Sequence, residues 1–388
     1  DASLEESSRV SGAGNMTTLF RITVPIMMPA ILGITFLVFL FIMASFEMEL
    51  FLLVPKGIYV FTTYIYQLMS IVPVDYPGAM AMSTVFVILT TAIILLNFKI
   101  LGGRKYVTVT GRGFAVRTID LGRWKWVTCG FVALWLLLGL VTPMSMLVLG
   151  TFIYSWGVME SGFTLFHWKE TLQNPLILLS VRNTLVLAAG VATAGMMVHG
   201  VMSYIYLRSR LKGRHAIEVL TWVPRMSPGI VIAVGIMWAV LGGIPGIRFL
   251  YGTLFLMGVT ILVEGTPTGM RMMNGGMVQL GAELEESARV AGSTWFHTMR
   301  RVLVPLLIPT LLNYWLLKFL VATRALVVLL FIFVPSSKVL SIDIFERLTG
   351  TEMEQAAVLG LILAGISLIV ATAARFTAHK VRGQLGIM

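Results

Sequence analysis

Charge is scarce in this sequence. Asp, Glu, Lys and Arg make up 12% of its 388 residues, about half the share found in an average soluble protein. A water-soluble body of this length needs more charge than that to cover its surface. Cysteine is nearly missing. Cys129 stands alone, which excludes an intrachain disulfide framework and leaves it a packing role. The five histidines, at 167, 199, 215, 297 and 379, show no metal-ligand spacing. No phosphate-binding loop pattern occurs, because Gly102-Gly103-Arg104-Lys105 lacks the required spacing. The residues therefore predict no ATP site, no cofactor and no metal held by this chain. No protease-like or glycosidase-like constellation is visible, so no catalytic residue is assigned.

What the sequence does have is apolar. Hydrophobic residues make up 57% and the mean hydropathy is +0.89. Eight stretches reach the length of about 20 apolar residues that a membrane-spanning helix needs: 25–46, 78–98, 127–153, 176–207, 216–241, 249–270, 302–334 and 354–374. Runs such as Trp135-Leu136-Leu137-Leu138 are apolar all round, which excludes the alternating strands of a barrel. The fold class is an all-α polytopic membrane protein.

The net charge of +11 would suggest nucleic acid on a soluble protein. Its distribution excludes that partner. Lys99, Arg104, Lys105, Arg112, Arg117, Arg123 and Lys125 fill one connecting segment. Arg208, Arg210, Lys212 and Arg214 fill another, and Arg271, Arg289, Arg300 and Arg301 a third. Arg375, Lys380, Arg382, Arg9 and Arg21 complete this set, which holds 20 of the 29 basic residues. The alternate loops carry Glu47, Glu49, Asp75, Glu160, Glu170, Asp343, Glu346 and Glu352. The positive-inside rule then places both ends of the chain in the cytoplasm.

One internal repeat stands out, at an offset of 280 residues. Leu4, Glu5, Glu6, Ser7, Arg9, Val10, Gly12, Thr18, Arg21, Val24, Pro25 and Pro29 recur as Leu284, Glu285, Glu286, Ser287, Arg289, Val290, Gly292, Thr298, Arg301, Val304, Pro305 and Pro309. Each copy precedes a span on the cytoplasmic side. Ser3-x-x-Glu6 reads as a capping box. Glu5/Arg9 and Glu285/Arg289 are i,i+4 pairs with the acid first, the favourable order. Gly12 and Gly292 stand where the short helix should stop, and Pro25 and Pro305 open the next span. The expected product is a helical elbow facing the cytosol. Such a short helix is poorly stable alone and suits a groove on a partner.

These residues resemble the EAA motif of binding-protein-dependent ABC importer permeases. The first copy gives Glu6-Ser7-Ser8, Gly12 and Ile22-Thr23-Val24-Pro25. The second gives Glu286-Ser287-Ala288, Gly292 and Val302-Leu303-Val304-Pro305, with the same spacing. The wider chain is similar to the fused permeases with two motifs in one polypeptide, the ferric-iron branch above all. The segments that carry this include Tyr59-Val60-Phe61-Thr62-Thr63, Val107-Thr108-Val109-Thr110-Gly111-Arg112-Gly113, Arg182-Asn183-Thr184 and Pro228-Gly229-Ile230-Val231.

The resemblance implies a MetI-like type I ABC importer transmembrane domain, with a partial first half (1–101), a basic linker (102–126) and a complete second half (127–388, elbow at about 281–301). Repeat logic predicts four further spans ahead of residue 1 in the full protein. By the same resemblance, two ABC ATPase subunits carrying ATP and Mg dock on Glu5, Glu6, Arg9, Gly12, Glu285, Glu286, Arg289 and Gly292. A periplasmic or lipid-anchored solute-binding protein delivers solute, and the chain sits among lipid in the bacterial inner membrane. Ferric iron is the implied cargo; thiamine, polyamine and phosphonate importers share the architecture. An ion-gradient-driven secondary transporter and a membrane enzyme are the alternative classes.

Ionisable residues within predicted spans mark candidate transport paths. They are His199, Glu264, Lys318 and Arg324, with Glu264 and Lys318 expected as a pair. Pro224 and Pro228-Gly229 predict a bend within one span.

Overall fold

The computed structural model describes residues 7–8, 10–101, 122–157, 162–281 and 283–384. Among them no strand forms; Ile153 and Phe163 make an isolated bridge. Helices dominate because the apolar runs leave no water to satisfy backbone groups, and a helix satisfies them internally.

Two compact units divide the chain, Asp1–Leu134 and Trp135–Met388. In the first, a short turn α1 (Asn15–Thr18) leads into α2 (Val24–Met43). Then follow α3 (Glu47–Leu52), α4 (Phe61–Ser70) and the long α5 (Tyr76–Leu101). Helices α2 and α4 both pack on α5. Thr62 ties α4 back to the end of α2 by donating to the Ser45 carbonyl. Asp75 caps α5 by accepting from the Gly78 amide at 2.9 Å.

Helix α6 (Trp124–Leu136) runs into the second unit and continues as α7 (Thr142–Gly150). Cys129 lies on α6 and is exposed, contrary to the packing role expected of it, because none of α6 is buried by described residues. A short helix α8 (Phe166–Gln173) precedes α9 (Pro175–Arg208), the axis of this unit. Asn174 caps α9 by accepting from the Leu176 amide at 3.0 Å. The buried face of α9 is mostly small: Ser180, Thr184, Ala188, Ala192, Gly195 and Ser203. Small residues let neighbouring backbones approach closely, the usual device for packing helices in lipid.

The remaining helices are α10 (Arg214–Met226), α11 (Gly229–Trp238), α12 (Leu254–Glu264), α13 (Thr266–Val278), α14 (Glu283–Val290), α15 (Trp295–Thr298), α16 (Val304–Thr323), α17 (Leu340–Thr349) and α18 (Met353–Gln384). Helix α9 packs against α12, α13, α16 and α17.

Among the described residues five helical stretches are long and apolar enough to cross a bilayer, and up to eight if each bent pair counts as one span. The bend expected at Pro228-Gly229 is present: the helix turns by 101° between Val219–Met226 and Gly229–Gly243. One candidate span is not among the expected stretches, the pair Glu47–Lys56 and Phe61–Ser70 bent by 74°, and two expected spans differ. The stretch 249–270 is not one helix, because the chain breaks at Gly265 between α12 and α13. The stretch 302–334 is helical only to Thr323. Beyond it, Val328, Leu329 and Ile332 are buried in tight turns, so their apolarity serves the protein interior and not a longer span.

Candidate functional site

The two repeat copies fold alike. In the second, α14 stops at Gly292, whose φ of +80° needs a residue without a Cβ. The Gly292 amide donates to the Arg289 carbonyl and the Ser293 amide to the Ala288 carbonyl, both at 2.9 Å. This is the Schellman stop. In the first copy Gly12 has φ +82°, and the Ala13 amide donates to the Ser8 carbonyl at 3.1 Å.

A hydroxyl latch then closes each elbow. Thr18 is 4% exposed and shares a 2.9 Å hydrogen bond with Ser8. Thr298 is also 4% exposed and donates to Ser293 at 3.1 Å. The partner has moved, since Ser8 and Ala13 become Ala288 and Ser293 in the second copy. The backbone bond of the stop joins those two positions, so a serine at either one reaches the threonine.

Each elbow joins its span through a widened turn, Leu19–Thr23 and Met299–Leu303. The Val24 amide donates to Leu19 and the Val304 amide to Met299, five residues back in both.

The structure separates the expected elbow residues. Glu5, Glu6 and Arg9 lie outside the described residues. Gly12 and Gly292 are at the two bends. Glu286 and Arg289 are exposed. Glu285 is buried, at 7% exposure. Its carboxylate meets Arg208 Nε at 3.4 Å and Arg289 Nη2 at 3.9 Å, and accepts from the Tyr204 hydroxyl at 3.3 Å. Trp295 Nε1 donates to that same hydroxyl at 2.8 Å. Arg208 also donates to the carbonyls of Met277 and Leu280 at the end of α13. This inward attachment leaves apolar side chains of the second elbow outside: Val290 is 90% exposed and Phe296 66%; in the first elbow Val10 is 89% exposed.

A polar seam runs through the interior of the second unit. His199 on α9 and Tyr314 on α16 share a 2.5 Å hydrogen bond through Nδ1. His199 Nε2 lies 3.2 Å from the Thr266 hydroxyl on α13. That hydroxyl donates to the Leu262 carbonyl at 2.8 Å, so it accepts from Nε2–H, which leaves Nδ1 to accept from the tyrosine.

One turn along α16, Lys318 is 1% exposed. It donates to the Gly265 carbonyl at 2.8 Å, at the break between α12 and α13. The Glu264 charge acts on both Lys318 and Arg225, and a methyl group at Gly229 would lie 3.2 Å from Glu264 Oε1. The structure thus brings His199 and Lys318 to one buried seam, with Glu264, itself exposed, beside it next to Gly265. Arg324, the exposed residue closing α16, donates its backbone amide to the Ala322 carbonyl. Sequence reading missed Arg225 and Tyr314. It also placed Arg271 in a loop, whereas it lies within α13 with its guanidinium 5.0 Å from the Trp222 ring centre.

At the other end of α9, Asn183 donates to the carbonyls of Ser336 and Lys338, both at 3.0 Å. Thr184 accepts from the Leu340 amide at 2.7 Å. Lys338 pairs with Glu346 at 2.5 Å and Asp343 at 3.6 Å. Burial works to lower its pKa; the hydrogen bond to Glu346 and the two carboxylate charges outweigh that and raise it above the ordinary lysine value.

Residues 194–383, which contain the second elbow and the seam, match the family described as binding-protein-dependent transport system inner membrane component. The match covers just under half of the chain. The chain is 27% identical to the putative ferric transport system permease protein FbpB 1 of Haemophilus influenzae, over 350 residues that cover 87% of this chain and 53% of that one. It is 24% identical to the spermidine/putrescine transport system permease protein PotC of Escherichia coli, over 64% of this chain and 92% of that one. The chain spans about half the length of the ferric-transport relatives it matches. The permease fold itself recurs in the crystal structure of a bacterial ABC transporter that imports alginate, with a TM-score of 0.56 at 16% identity, covering 66% of this chain and 96% of that one.

Proposed function

We propose that this chain is membrane-spanning permease sequence of an ATP-driven importer, with ferric iron as its cargo. The observation that carries the reading is the duplicated elbow. Both copies keep the left-handed glycine, the hydroxyl latch and the widened turn into a span. Both also leave apolar side chains in the open, the mark of a surface that another protein covers.

In this reading the elbows dock on two ABC ATPase subunits, which supply all the ATP and Mg chemistry. A binding protein presents solute at the opposite face. Closure of the ATPases moves the elbows, and the attached spans switch between two arrangements. Glu286, Arg289 and Gly292 form the outward side of the grip. Glu285 holds the elbow from within. His199, Glu264 and Lys318 flank the path, because ionisable groups in spans almost always face protein interior or a water-filled cavity. Arg324 is the remaining candidate at the end of α16.

Elbow variants test this. Gly292→Trp and Glu286→Arg are expected to leave the chain in the membrane fraction while solute uptake falls about tenfold or more, a loss of at least one coupling step's worth. Normal ATP-driven uptake in both variants refutes the assignment. Competition between radiolabelled ferric iron and putrescine decides the cargo, since relatives named for both solutes align with this chain.

A further inference from the structure

Helix α9 is 34 residues long and meets the rest of its unit through polar joints at three levels. At its C-terminal end Arg208 grips Glu285 of the elbow and the last carbonyls of α13. In its middle His199 bonds to both α13 and α16. Near its N-terminal end Asn183 and Thr184 hold the segment 336–340 by three hydrogen bonds. Asn183 and Arg208 are roughly 38 Å apart along a helix that rises 1.5 Å per residue, enough to cross the hydrocarbon core of a bilayer.

The covalent route from the elbow to its own span bends at Gly292 and then runs as one helical stretch, Trp295–Thr323, through the widened turn Met299–Leu303. Glu285 gives the elbow a second route: it is fixed to α9 by a buried charge pair and by a tyrosine that also holds Trp295. A buried pair of this kind resists being parted, because separation leaves a charge without compensation. Resting on the permease reading above, we propose that α9 is the strut that carries movement between the outer segment 336–340 and the elbow. Arg208 and Glu285 are the positioning pair at its inner joint, and Asn183 is the positioning residue at its outer joint.

The strut makes two residues at opposite ends of one helix act as a unit. The experiment uses the complex reconstituted in proteoliposomes with its ATPase subunits and its loaded binding protein. ATP hydrolysis is measured with and without the binding protein, alongside uptake. Arg208→Gln and Asn183→Ala are each expected to keep basal hydrolysis near wild type while stimulation by the binding protein falls about five-fold or more. The double variant is expected to lose no more than the worse single one, because breaking one strut twice is not additive.

A cross-linking variant guards against misfolding. Tyr204→Cys with Trp295→Cys, in a Cys129→Ser background, puts two thiols behind rings that now meet at 6.0 Å between centroids, a gap for a flexible bis-maleimide to bridge. Cross-linking locks the elbow to α9, and stimulation is expected to survive it, since the two move together. Additive losses in the double variant, or loss of stimulation on cross-linking, overturn the strut alone. Wild-type uptake that proceeds without ATP overturns the permease reading and the strut with it.

Discussion

Gly269 and Gly275 lie less than two turns apart on α13 and have opposite surroundings. A methyl group at Gly269 would sit 2.5 Å from His199 Nδ1, while one at Gly275 meets nothing within 4 Å. The first glycine is a notch that His199 fills. Gly265 and Gly276 are notches too, filled by Lys318 and Thr310. Gly269→Ala must push the imidazole off Tyr314 or off Thr266, and an overpacked core site costs about 1–3 kcal/mol. Gly275→Ala removes only helix-disfavouring freedom and is expected to be neutral or stabilising by about 0.5–1 kcal/mol. Thermal unfolding of the two purified variants in detergent compares them directly. A Gly269→Ala variant as stable as Gly275→Ala would mean the notch is not filled as described.

At the scale of elements, four widened turns occur among the described residues: Leu19–Thr23, Leu137–Val141, Ala239–Gly243 and Met299–Leu303. Each closes with a bond from the residue just before a proline: Val24, Thr142, Ile244 and Val304. At Ile244 the chain turns extended and the helix ends. In the other three the helix runs on through the proline, which has no amide hydrogen to give and whose ring crowds the carbonyl four residues back. One extra residue in the preceding turn moves that carbonyl aside.

Pro305→Ala restores the amide and lets the turn contract. That change rotates the elbow relative to α16 by one residue, about 100°. Uptake is expected to fall to background with the chain still inserted. Pro143→Ala, which carries no elbow ahead of it, is expected to keep uptake near wild type. Uptake assays with immunoblots of the membrane fraction check both.

These elements also mark how far sequence reading reached. The stops at Gly12 and Gly292 were legible because a left-handed glycine is a local signal. The widened turns were not: proline announces a disturbance, and only the surrounding packing decides whether the helix breaks or swells. Glu285 was legible as the partner of Arg289, four residues on. Its burial against Arg208 was not, since that contact joins helices distant in sequence. The hydroxyl latch was hidden because Ser8 and Ser293 occupy different positions of the repeat.

For the whole molecule, hydropathy found most of the candidate spans, missed the bent pair Glu47–Lys56 and Phe61–Ser70, and blurred the ends. It merged α12 with the first turns of α13 across Gly265, and extended α16 into the buried turns around Leu329. Hydropathy reports that a residue avoids water, without saying whether lipid or protein covers it. It also flagged Lys318 as anomalous and paired it with Glu264, whereas the hydrogen bond goes to the neighbouring Gly265 carbonyl.

That acceptor has a bearing on how the molecule is made. A lysine within a span opposes insertion, by about 2.5–3.5 kcal/mol at a helix centre and by less toward an end, and Lys318 lies in the last two turns of α16. Helix α16 alone is therefore expected to insert poorly in a translocon assay. It should insert better as Lys318→Leu, or with residues 254–278 placed ahead of it. Equal insertion of all three would show that Lys318 needs no partner. Gly265 and Glu264 come first in the chain, so the carbonyl and the carboxylate are in the bilayer before the ammonium leaves the ribosome. The order of translation delivers the buried cation to a berth already built.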